Sequence, residues 1–435
     1  MNVRFYNARI LAMNETMDII DGELWVENTR ISYVGPGTPQ QNDRPVPVWD
    51  REIDVQGNLL MPGFKNAHTH SAMTFLRSYA DDLPLQEWLN QQVFPMEAKL
   101  LPEDICWLSK LAILEYLTSG ITAAFDMYCH PEMTAKASIE CGFRTVLVGC
   151  VNNFTSSLEE MAQAYERFNQ EHDLIRYCLG FHAEYTCSEE LLKGVAKLAH
   201  RFQAPVFAHI SETQGEVDQC IARYGKTPPE LLESMGMFAY GGGGYHCIYM
   251  TDSDLEIFKR NGLFAVTNPG SNVKLASGTA RISDMMEKQI PIAIGTDGPA
   301  SNNCLDMFRE MFLVTGLAKL KEQNAAAVPA DAVLRMAAQT GAKAMGLHDA
   351  DCLAEGKLAD LIMIDLHQPN MQPLNHIVKN IVYSGSKQNV KMTMVNGRIL
   401  YENGQFFVGE EPEEIYRHAN AVIARMTSPE SCRTE

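Results

Sequence analysis

The sequence lacks the features of membrane and nucleic-acid-binding proteins. No apolar run approaches the roughly 18 residues that a membrane-spanning helix needs. Positive charge is scarce: 36 Lys and Arg stand against 54 Asp and Glu, and no local basic patch interrupts the net charge of −18. A surface of this sign repels phosphate backbones and anionic lipid. We therefore expect neither nucleic acid nor a membrane as a partner.

The cysteines lack the pattern of a disulfide scaffold. There are 11, an odd number, scattered from Cys106 to Cys432 without a CxxC pair. Evenly spaced cysteine pairs are typical of small secreted domains, whereas scattered thiols are typical of a reducing compartment. The first residues, from Met1 to Arg9, also lack the basic-then-apolar plan of a signal peptide. The sequence therefore predicts a cytoplasmic protein.

What the chain does contain is two β-rich ends around a long centre with a different rhythm. Alternating apolar residues run through 3–11, 22–28 and 30–36, and apolar segments bounded by turn residues return at 360–366 and 390–400. Each end alone is too short to make a good core. We therefore predict that both ends together form one small β-sandwich.

In the centre, short apolar strands alternate with amphipathic helical stretches, and eight such strands can be placed. This alternation implies parallel βα units, and eight units over about 290 residues is the size of a (β/α)8 barrel. A doubly wound open sheet is the competing architecture. The predicted fold is α/β: a TIM-type barrel over 59–350, with a sandwich made from 1–58 and 351–435 and a helix near the C-terminus.

Polar residues follow the predicted strands at their carboxyl ends, where the active sites of such barrels lie. His68 and His70 close the first strand. Because alternate side chains of a strand point to the same face, the two imidazoles lie about 7 Å apart along the chain and within reach of one ion. Two histidines in a surface loop are the alternative interpretation of this pair.

Three later strands also end in a residue that can bind a metal, namely His209, His246 and Asp297. A lone histidine on an apolar strand is more often a core residue than a ligand. A buried aspartate, however, is costly unless it is paired or bound to a cation. Four histidines and one aspartate at the ends of four strands therefore indicate a divalent metal ion.

Glu212 comes three residues after His209 and is the candidate for proton transfer. If the strand turns there, its carboxylate lies over the same cavity, where a general acid is needed beside an activated water. The alternative is a carboxylate that stabilises a helix N-terminus through the helix dipole. Its position next to His209 favours the catalytic role.

These residues and the segments around them resemble the amidohydrolase superfamily. Within it, the sequence is most similar to the aminohydrolase branch, which includes methylthioadenosine/S-adenosylhomocysteine deaminases, chlorohydrolases and guanine deaminases. The likeness extends over the whole predicted barrel, and its matching segments are 61–70, 79–89, 95–99, 209–213, 268–278 and 295–298. The β-rich ends also fit the composite sandwich of that family.

The resemblance implies a hydrolytic deaminase that releases ammonia from an amino-substituted N-heterocycle, with an adenosine-type nucleoside as the leading substrate. It implies one divalent ion, with zinc favoured and iron as the alternative, and its four ligands would be His68, His70, His209 and Asp297. Binuclear relatives add a lysine at the end of the fourth strand. That strand ends here at His182, which favours a single ion.

The same resemblance implies a role for each remaining site residue. Asp297 would accept the proton of the attacking water, Glu212 would protonate the ring nitrogen, and His246 would steady the attacking oxygen. Residues in contact with the substrate would be Trp88, Glu97, His182 and Glu212. Since relatives often pair, a homodimer or homotetramer that acts on a small molecule is expected.

Two departures from the family pattern bear on the substrate. Gly149 stands where adenosylhomocysteine deaminases usually carry an arginine that clamps a carboxylate, and Glu184 replaces the usual proline. Deamination or dechlorination of another ring, such as guanine, a pterin, a triazine or a small cyclic amidine, is therefore the alternative reaction. Amide hydrolysis of the dihydroorotase type is disfavoured by the missing lysine. A metal-free barrel that serves only as a binding subunit is disfavoured by the complete set of ionisable residues.

Overall fold

The computed structural model describes residues 1–37, 47–79, 81–83 and 85–428. The N-terminal segment forms five strands, which are β1 (Asn2–Leu11), β2 (Ile19–Glu27), β3 (Arg30–Gly35), β4 (Arg51–Asp54) and β5 (Leu59–Pro62). β1 pairs with β2 in antiparallel register and with β4 and β5 in parallel register. Apolar side chains alternate along β1, so one face of this sheet is buried.

The barrel is built from the next eight strands in chain order. Every neighbouring pair among them is parallel. The strands are β6 (Phe64–Thr69), β7 (Ile121–Met127), β8 (Arg144–Val148), β9 (Ile175–Ala183), β10 (Val206–Ile210), β11 (Gly242–His246), β12 (Phe264–Thr267) and β13 (Ile292–Ile294). Their spatial order follows the sequence from β6 to β13. The predicted (β/α)8 architecture is therefore confirmed.

The first and last barrel strands are joined by side-chain and loop contacts. The Asp297 amide donates to the His68 carbonyl oxygen at 3.0 Å. The Thr296 amide donates to Asn66 Oδ1 at 2.9 Å, and Asn66 Nδ2 donates to Thr296 Oγ1 at 2.7 Å. The polar pair of Asn66 and Thr296 thus closes the ring directly below the residues expected to bind the metal.

The interior of the barrel is a packed core, as expected for eight strands. Most of the strands contribute buried side chains to it, and these residues include Ala67, Phe125, Val146, Phe207, Tyr245, Val266 and Ala293. Tyr245 stacks on the His68 ring with the centroids 3.7 Å apart. Through Tyr245, the barrel core therefore packs directly against a residue of the strand ends.

Helices surround the barrel and continue to the C-terminus of the described chain. Their bounds are α1 (Leu85–Trp88), α2 (Phe94–Glu97), α3 (Pro102–Thr118), α4 (Pro131–Cys141), α5 (Leu158–Glu171), α6 (Glu189–Phe202), α7 (Gln214–Tyr224), α8 (Pro228–Ser234), α9 (Asp252–Asn261), α10 (Pro269–Lys274), α11 (Ile282–Glu287), α12 (Met307–Glu322), α13 (Ala330–Arg335), α14 (Gly341–Ala344), α15 (Ile377–Tyr383) and α16 (Pro412–Thr427). A π-helical turn, Leu89–Val93, joins α1 to α2, and a second, Met336–Thr340, joins α13 to α14. Short 3-10 turns occupy Ser71–Leu76, Glu184–Thr186, His348–Ala350, Pro369–Met371 and Lys387–Asn389.

Side-chain caps fix where several of these helices begin. Thr213 precedes α7 and its hydroxyl accepts the Glu216 amide at 3.2 Å. Thr251 precedes α9 and its hydroxyl accepts the Asp254 amide at 3.1 Å. Threonine is a favoured residue at this position because its oxygen satisfies an amide that has no partner within the helix.

The C-terminal segment returns to the sheet of the N-terminus through four strands, β14 (Leu361–Ile364), β15 (Val390–Val395), β16 (Arg398–Glu402) and β17 (Gln405–Phe406). β14 pairs with β5, so the strands of both ends form one continuous mixed sheet. Residues from both halves, such as Phe5 and Met392, share one buried cluster. The predicted association of the two ends is thus confirmed, whereas the division at residues 58 and 350 remains a prediction.

Two further findings concern predictions about membranes and thiols. Within the described ranges, no helix is both long enough and apolar enough to cross a bilayer. The cysteines from Cys106 to Cys352 are all free thiols, and most of them are buried. Cys432 lies outside the described residues.

Candidate active site

Four buried residues meet at the carboxyl ends of the barrel strands. They are His68 on β6, His209 on β10, His246 at the end of β11 and Asp297 just after β13, and one ligand atom from each lies within 4.8 Å of the others. His68 Nε2 is 3.1 Å from His209 Nε2 and 3.4 Å from Asp297 Oδ1. His246 Nε2 is 3.9 Å from Asp297 Oδ2. Residues up to 229 positions apart in the sequence therefore converge on one point.

His70 reaches the same point from the residue after β6. Its Nε2 lies 3.2 Å from Asp297 Oδ1, and its ring stacks at a centroid distance of 5.5 Å from that of His209. The carbonyl oxygen of Met127 accepts from His70 Nδ1 at 2.5 Å. The structure thus brings together all four predicted ligands, and His246 as well. The assignment of four of these five residues as ligands remains a prediction.

The donor set fits a divalent cation. Donor atoms that are each about 2.1 Å from one ion lie about 3.0–3.5 Å apart, and the separations among His68, His70, His209 and Asp297 include 3.1, 3.2 and 3.4 Å. The His182 carbonyl accepts from His209 Nδ1 at 2.7 Å. That bond leaves the Nε2 lone pair of His209 free for a metal, as in most histidine ligands.

Burial tunes these groups for the same purpose. It lowers the pKa of His68 to about 3 and holds the pKa of His209 well below its ordinary value, so both rings are neutral donors at pH 7. Burial alone would raise the pKa of Asp297, but the hydrogen bonds from His68 and His70 outweigh it and hold that pKa well below the usual range. Burial opposes a charge on His70 as well, but its hydrogen bond to Asp297 raises the pKa of His70 to about 9. His68 and His209 are thus neutral donors already, whereas His70 would release a proton on binding a cation.

Hydroxyl groups orient the Asp297 carboxylate. Ser271 Oγ and Ser301 Oγ each donate to Asp297 Oδ2 at 2.7 Å. Asn272 Oδ1, from the same turn as Ser271, accepts from His246 Nδ1 at 2.8 Å, which turns His246 Nε2 towards the cluster. The sequence did not single out these three residues, although Ser271 and Asn272 lie in the segment 268–278 that resembles the family.

Glu212 lies beside the cluster as predicted. Its Oε2 is 3.9 Å from His246 Nε2, and Ser277 Oγ donates to its Oε1 at 3.3 Å. Burial raises the pKa of Glu212 above its ordinary value. A buried carboxyl group with a raised pKa keeps its proton closer to neutral pH, which suits a general acid.

Of the three other predicted substrate contacts, the structure places His182 in the cluster, Glu97 against the residue that follows β7, and Trp88 in an apolar cluster. The His182 ring is 4.9 Å from that of His209, and burial lowers its pKa to about 4. Glu97 lies at the end of α2, and the hydroxyl of Tyr128 donates to its Oε1 at 2.7 Å. Trp88 is 6% exposed and packs in a cluster with Val422 and Met426 of α16. Tyr128 was not singled out in the sequence, although it directly follows β7.

The two departures from the family pattern are explained by packing. A Cβ atom at Gly149 would lie 2.7 Å from Met161 Sδ and 2.9 Å from the Gly180 backbone, so no side chain fits there. Glu184 is 2% exposed, and its Oε2 lies 2.6 Å from Nη2 of Arg223. Its charge is therefore compensated within the protein.

The backbone at the strand ends is unusual. Ser211, His246, Cys247 and Asp297 all have left-handed φ angles between 50° and 68°, although none is glycine. Such conformations are disfavoured for residues with a Cβ and are concentrated at functional sites. Other left-handed residues, such as Asn7 and Val328, lie elsewhere in the chain, but these four carry or adjoin the residues of the cluster.

Comparisons with known proteins agree with this geometry. The model of the amidohydrolase family matches residues 59–400. A 5-methylthioadenosine/S-adenosylhomocysteine deaminase from Desulfitobacterium hafniense is 40% identical over 92% of this chain and 93% of its own length. A 5'-deoxyadenosine deaminase from Methanosarcina acetivorans is 37% identical over 96% and 98%.

A solved structure is similar over the full length. It is an adenosine deaminase from Xanthomonas campestris with bound zinc, with a TM-score of 0.91, 29% identity and 98% of each chain covered. The match in sequence and in fold spans the barrel and the terminal sheet. The chain therefore belongs to the amidohydrolase family.

Proposed function

We propose that this chain is a metal-dependent hydrolytic deaminase of an adenosine-type nucleoside, which replaces the exocyclic amino group with oxygen and releases ammonia. The observation that carries the proposal is the position of the Asp297 carboxylate. It lies 3.2–3.9 Å from ring nitrogens of His68, His70 and His246, and Glu212 lies beside His246. Relatives named as deaminases of 5-methylthioadenosine and 5'-deoxyadenosine, at 37–40% identity, support this substrate class.

The residues that would hold the metal are His68, His70, His209 and Asp297. Zinc is favoured over iron because a structurally similar adenosine deaminase binds zinc and because neutral imidazoles with one carboxylate suit that ion. Bound there, such a cation lowers the pKa of a water ligand towards neutrality.

The chain's own residues move the protons. Asp297, which is ionised, takes the proton of the attacking water. Glu212, whose pKa burial raises, delivers a proton from its acid form to the ring nitrogen next to the reacting carbon. That carbon then accepts oxygen without full negative charge on the ring. His246, whose Nδ1 is held by Asn272, orients the attacking oxygen. Asp297 then passes the proton that it took from water to the amino group, and the C–N bond breaks as ammonia leaves. The proton of the added hydroxyl group returns to Glu212, which restores both carboxyl groups.

Trp88, Glu97 and His182 would hold the nucleoside. We propose that uncharged substituents at the 5' position are preferred to the amino-acid tail of S-adenosylhomocysteine. Gly149 offers no cationic side chain to a carboxylate, and Arg223 is already paired with Glu184. Neither Gly149 nor the already paired Arg223 therefore offers a free guanidinium group for bidentate binding of a substrate carboxylate.

The experiment is an ammonia-release screen on the zinc-loaded protein. The panel contains 5'-methylthioadenosine, 5'-deoxyadenosine, adenosine and S-adenosylhomocysteine, with guanine, a pterin and a triazine as competing rings. Turnover of the first three above S-adenosylhomocysteine supports the proposal. Turnover of a free base, pterin or triazine alone would replace it with the alternative reaction.

We further propose that the protein acts in the cytoplasm on a small molecule, as a homodimer or homotetramer, without nucleic acid or lipid. Its scattered free thiols support the cytoplasm as the compartment. Its net charge of −18 supports the absence of nucleic acid and lipid as partners. Light scattering on the purified protein measures the oligomeric state, and a monomeric mass would contradict that part.

A further inference from the structure

Glu216 is a buried carboxylate that the reaction scheme does not use. It lies in the first turn of α7 and is 5% exposed. Its Oε1 accepts the Ser211 amide and its Oε2 accepts the Glu212 amide, both at 2.8 Å. Both oxygens of one side chain are therefore committed to the backbone of the turn that carries Glu212.

That turn needs such support because its conformation is disfavoured. Ser211 has a φ of +53°, in the left-handed region that a residue with a Cβ rarely adopts. An unsupported turn would relax towards ordinary backbone angles and rotate the following residue, Glu212. The two hydrogen bonds of 2.8 Å from the Ser211 and Glu212 amides to one buried side chain oppose this relaxation.

The same turn is connected to the strand end that carries His246. The Ser211 carbonyl accepts the amides of Ile248 and Tyr249 at 3.1 and 2.9 Å. His246 and Cys247, which precede them, also have left-handed φ angles. Glu216 thus supports, through Ser211, both the turn that carries Glu212 and the strand end that carries His246.

An ordinary helix-capping role does not explain Glu216. The cap of α7 is supplied by Thr213, whose hydroxyl accepts the Glu216 amide. Asp254 in α9 provides the contrast, since its carboxylate accepts from Thr251 and Thr227 and so closes the start of its own helix. The Glu216 carboxylate reaches back past its own cap, to residues four and five positions earlier.

We propose that Glu216 is a positioning residue for the deamination reaction, which fixes the strained Ser211 turn so that the Glu212 carboxyl group faces the substrate ring. The expected effect on kcat rests on the proposed function. The claim that Glu216 fixes the Ser211 turn does not depend on that function. Misplacement of a catalytic group by about 1 Å costs about 100-fold in rate.

The test compares Glu216→Ala and Glu216→Gln with Asp254→Asn, a matched control at a buried carboxylate in the first turn of a neighbouring helix. With 5'-methylthioadenosine, Glu216→Ala should lower kcat about 100-fold while KM stays within about threefold. Glu216→Gln keeps one acceptor oxygen and should fall between that variant and the parent. Asp254→Asn should lower the melting temperature yet keep kcat within about twofold of the parent.

Two readouts do not depend on turnover. Bound zinc should stay at the parent's level in both Glu216 variants, because Glu216 contacts none of the predicted ligands. Amide hydrogen exchange at Ser211 and Glu212 should become at least about tenfold faster in Glu216→Ala and stay unchanged in Asp254→Asn.

Unchanged exchange at Ser211 and Glu212 in Glu216→Ala would overturn the inference. So would a kcat that falls no more than in Asp254→Asn, or a loss of zinc that accounts for the lost rate. If the parent protein deaminates no adenosine-type nucleoside, the proposed function fails, and the exchange measurement still decides whether Glu216 fixes the turn.

Discussion

At the amino-terminal end of the barrel, Arg144 and Asp360 form a buried ion pair, whereas at the carboxyl-terminal end His68, His70, His209, His246 and Asp297 crowd around one point. Arg144 Nε and Nη2 donate to the two Asp360 oxygens at 2.6 and 3.1 Å, and further bonds reach the Asp173 carbonyl and Asn396. At this end, the charge of Arg144 is balanced by that of Asp360, and hydrogen bonds hold the pair in place.

The catalytic end lacks this balance of charges and hydrogen bonds. His68 Nδ1 is buried without a hydrogen-bond partner, and four left-handed residues strain the backbone. Clustered imidazoles repel one another's protons and gain most from a shared cation. One end of the barrel is therefore arranged for stability, and the other for binding and reaction.

The largest expected effect comes from removing the one carboxylate of the cluster. Asp297→Asn keeps the shape of the side chain but loses the negative charge and the proton acceptor. Deamination of 5'-methylthioadenosine should fall by about 10⁴-fold, and bound zinc should fall with it. Turnover is measured by ammonia release and zinc by mass spectrometry. Full zinc content with turnover within tenfold of the parent would contradict the proposed site.

The next effect separates the proton donor from the metal site. Glu212→Gln should lower kcat about 10³-fold with zinc content unchanged. Because burial raises the pKa of Glu212 and the acid form is the active one, kcat of the parent should fall as pH rises through that raised value. The residual rate of Glu212→Gln should lack this limb. A pH profile with the same limb in both proteins would assign it to another group.

The opposite end of the barrel should respond in stability and not in chemistry. Arg144→Met leaves the Asp360 carboxylate buried without its partner and should cost about 3–5 kcal/mol of unfolding free energy. Activity per folded molecule should not change. Urea denaturation measures the loss, with Arg417→Met as the control, because the Arg417–Glu414 pair is exposed and should contribute little to stability. Equal losses in both variants would remove the distinction.

The smallest effect concerns Lys65, which is also buried at the amino-terminal end. Its ammonium donates to the Gly63 carbonyl at 2.7 Å and to Thr122 Oγ1 at 2.9 Å. Burial lowers the pKa of Lys65 from 10.5 to about 8. Between these values the unfolded chain binds the proton more tightly than the folded one, so stability should rise with pH there, by about 3 kcal/mol in total.

Lys65→Met should lack this rise. The measurement is the difference in unfolding free energy between parent and variant at a series of pH values from 7 to 11, which cancels other titrating groups. A constant difference across that range would show that Lys65 keeps its ordinary pKa in the folded protein.

The barrel and most residues of the candidate site could be predicted from the sequence because they depend on local patterns. The alternation of apolar strands and amphipathic helices fixed the barrel, and polar residues at the strand ends identified His68, His209, His246 and Asp297. Strand periodicity also placed His68 and His70 on one side. Each inference needed only neighbours in the chain and one rule about barrels.

What could not be predicted depends on contacts between distant residues. Nothing local indicates that Glu184 meets Arg223, 39 positions later, and becomes a compensated charge instead of a free one at the pocket. Glu216 looks like an ordinary acidic residue in a first helical turn until its oxygens are seen on Ser211 and Glu212. The single mixed sheet depends on β14 meeting β5, which pairs Leu361 with Pro62 across 299 positions.

The contacts of Asn66 with Thr296, and of His68 with Asp297, have a consequence for assembly of the fold. They join the first barrel strand to the last, so His68 and Asp297 lie on opposite sides of the seam at which the cylinder shuts. An ion bound by both residues would connect the first barrel strand to the last. Loading the protein with zinc should therefore protect β6 and β13 from local opening more than the strands diametrically opposite.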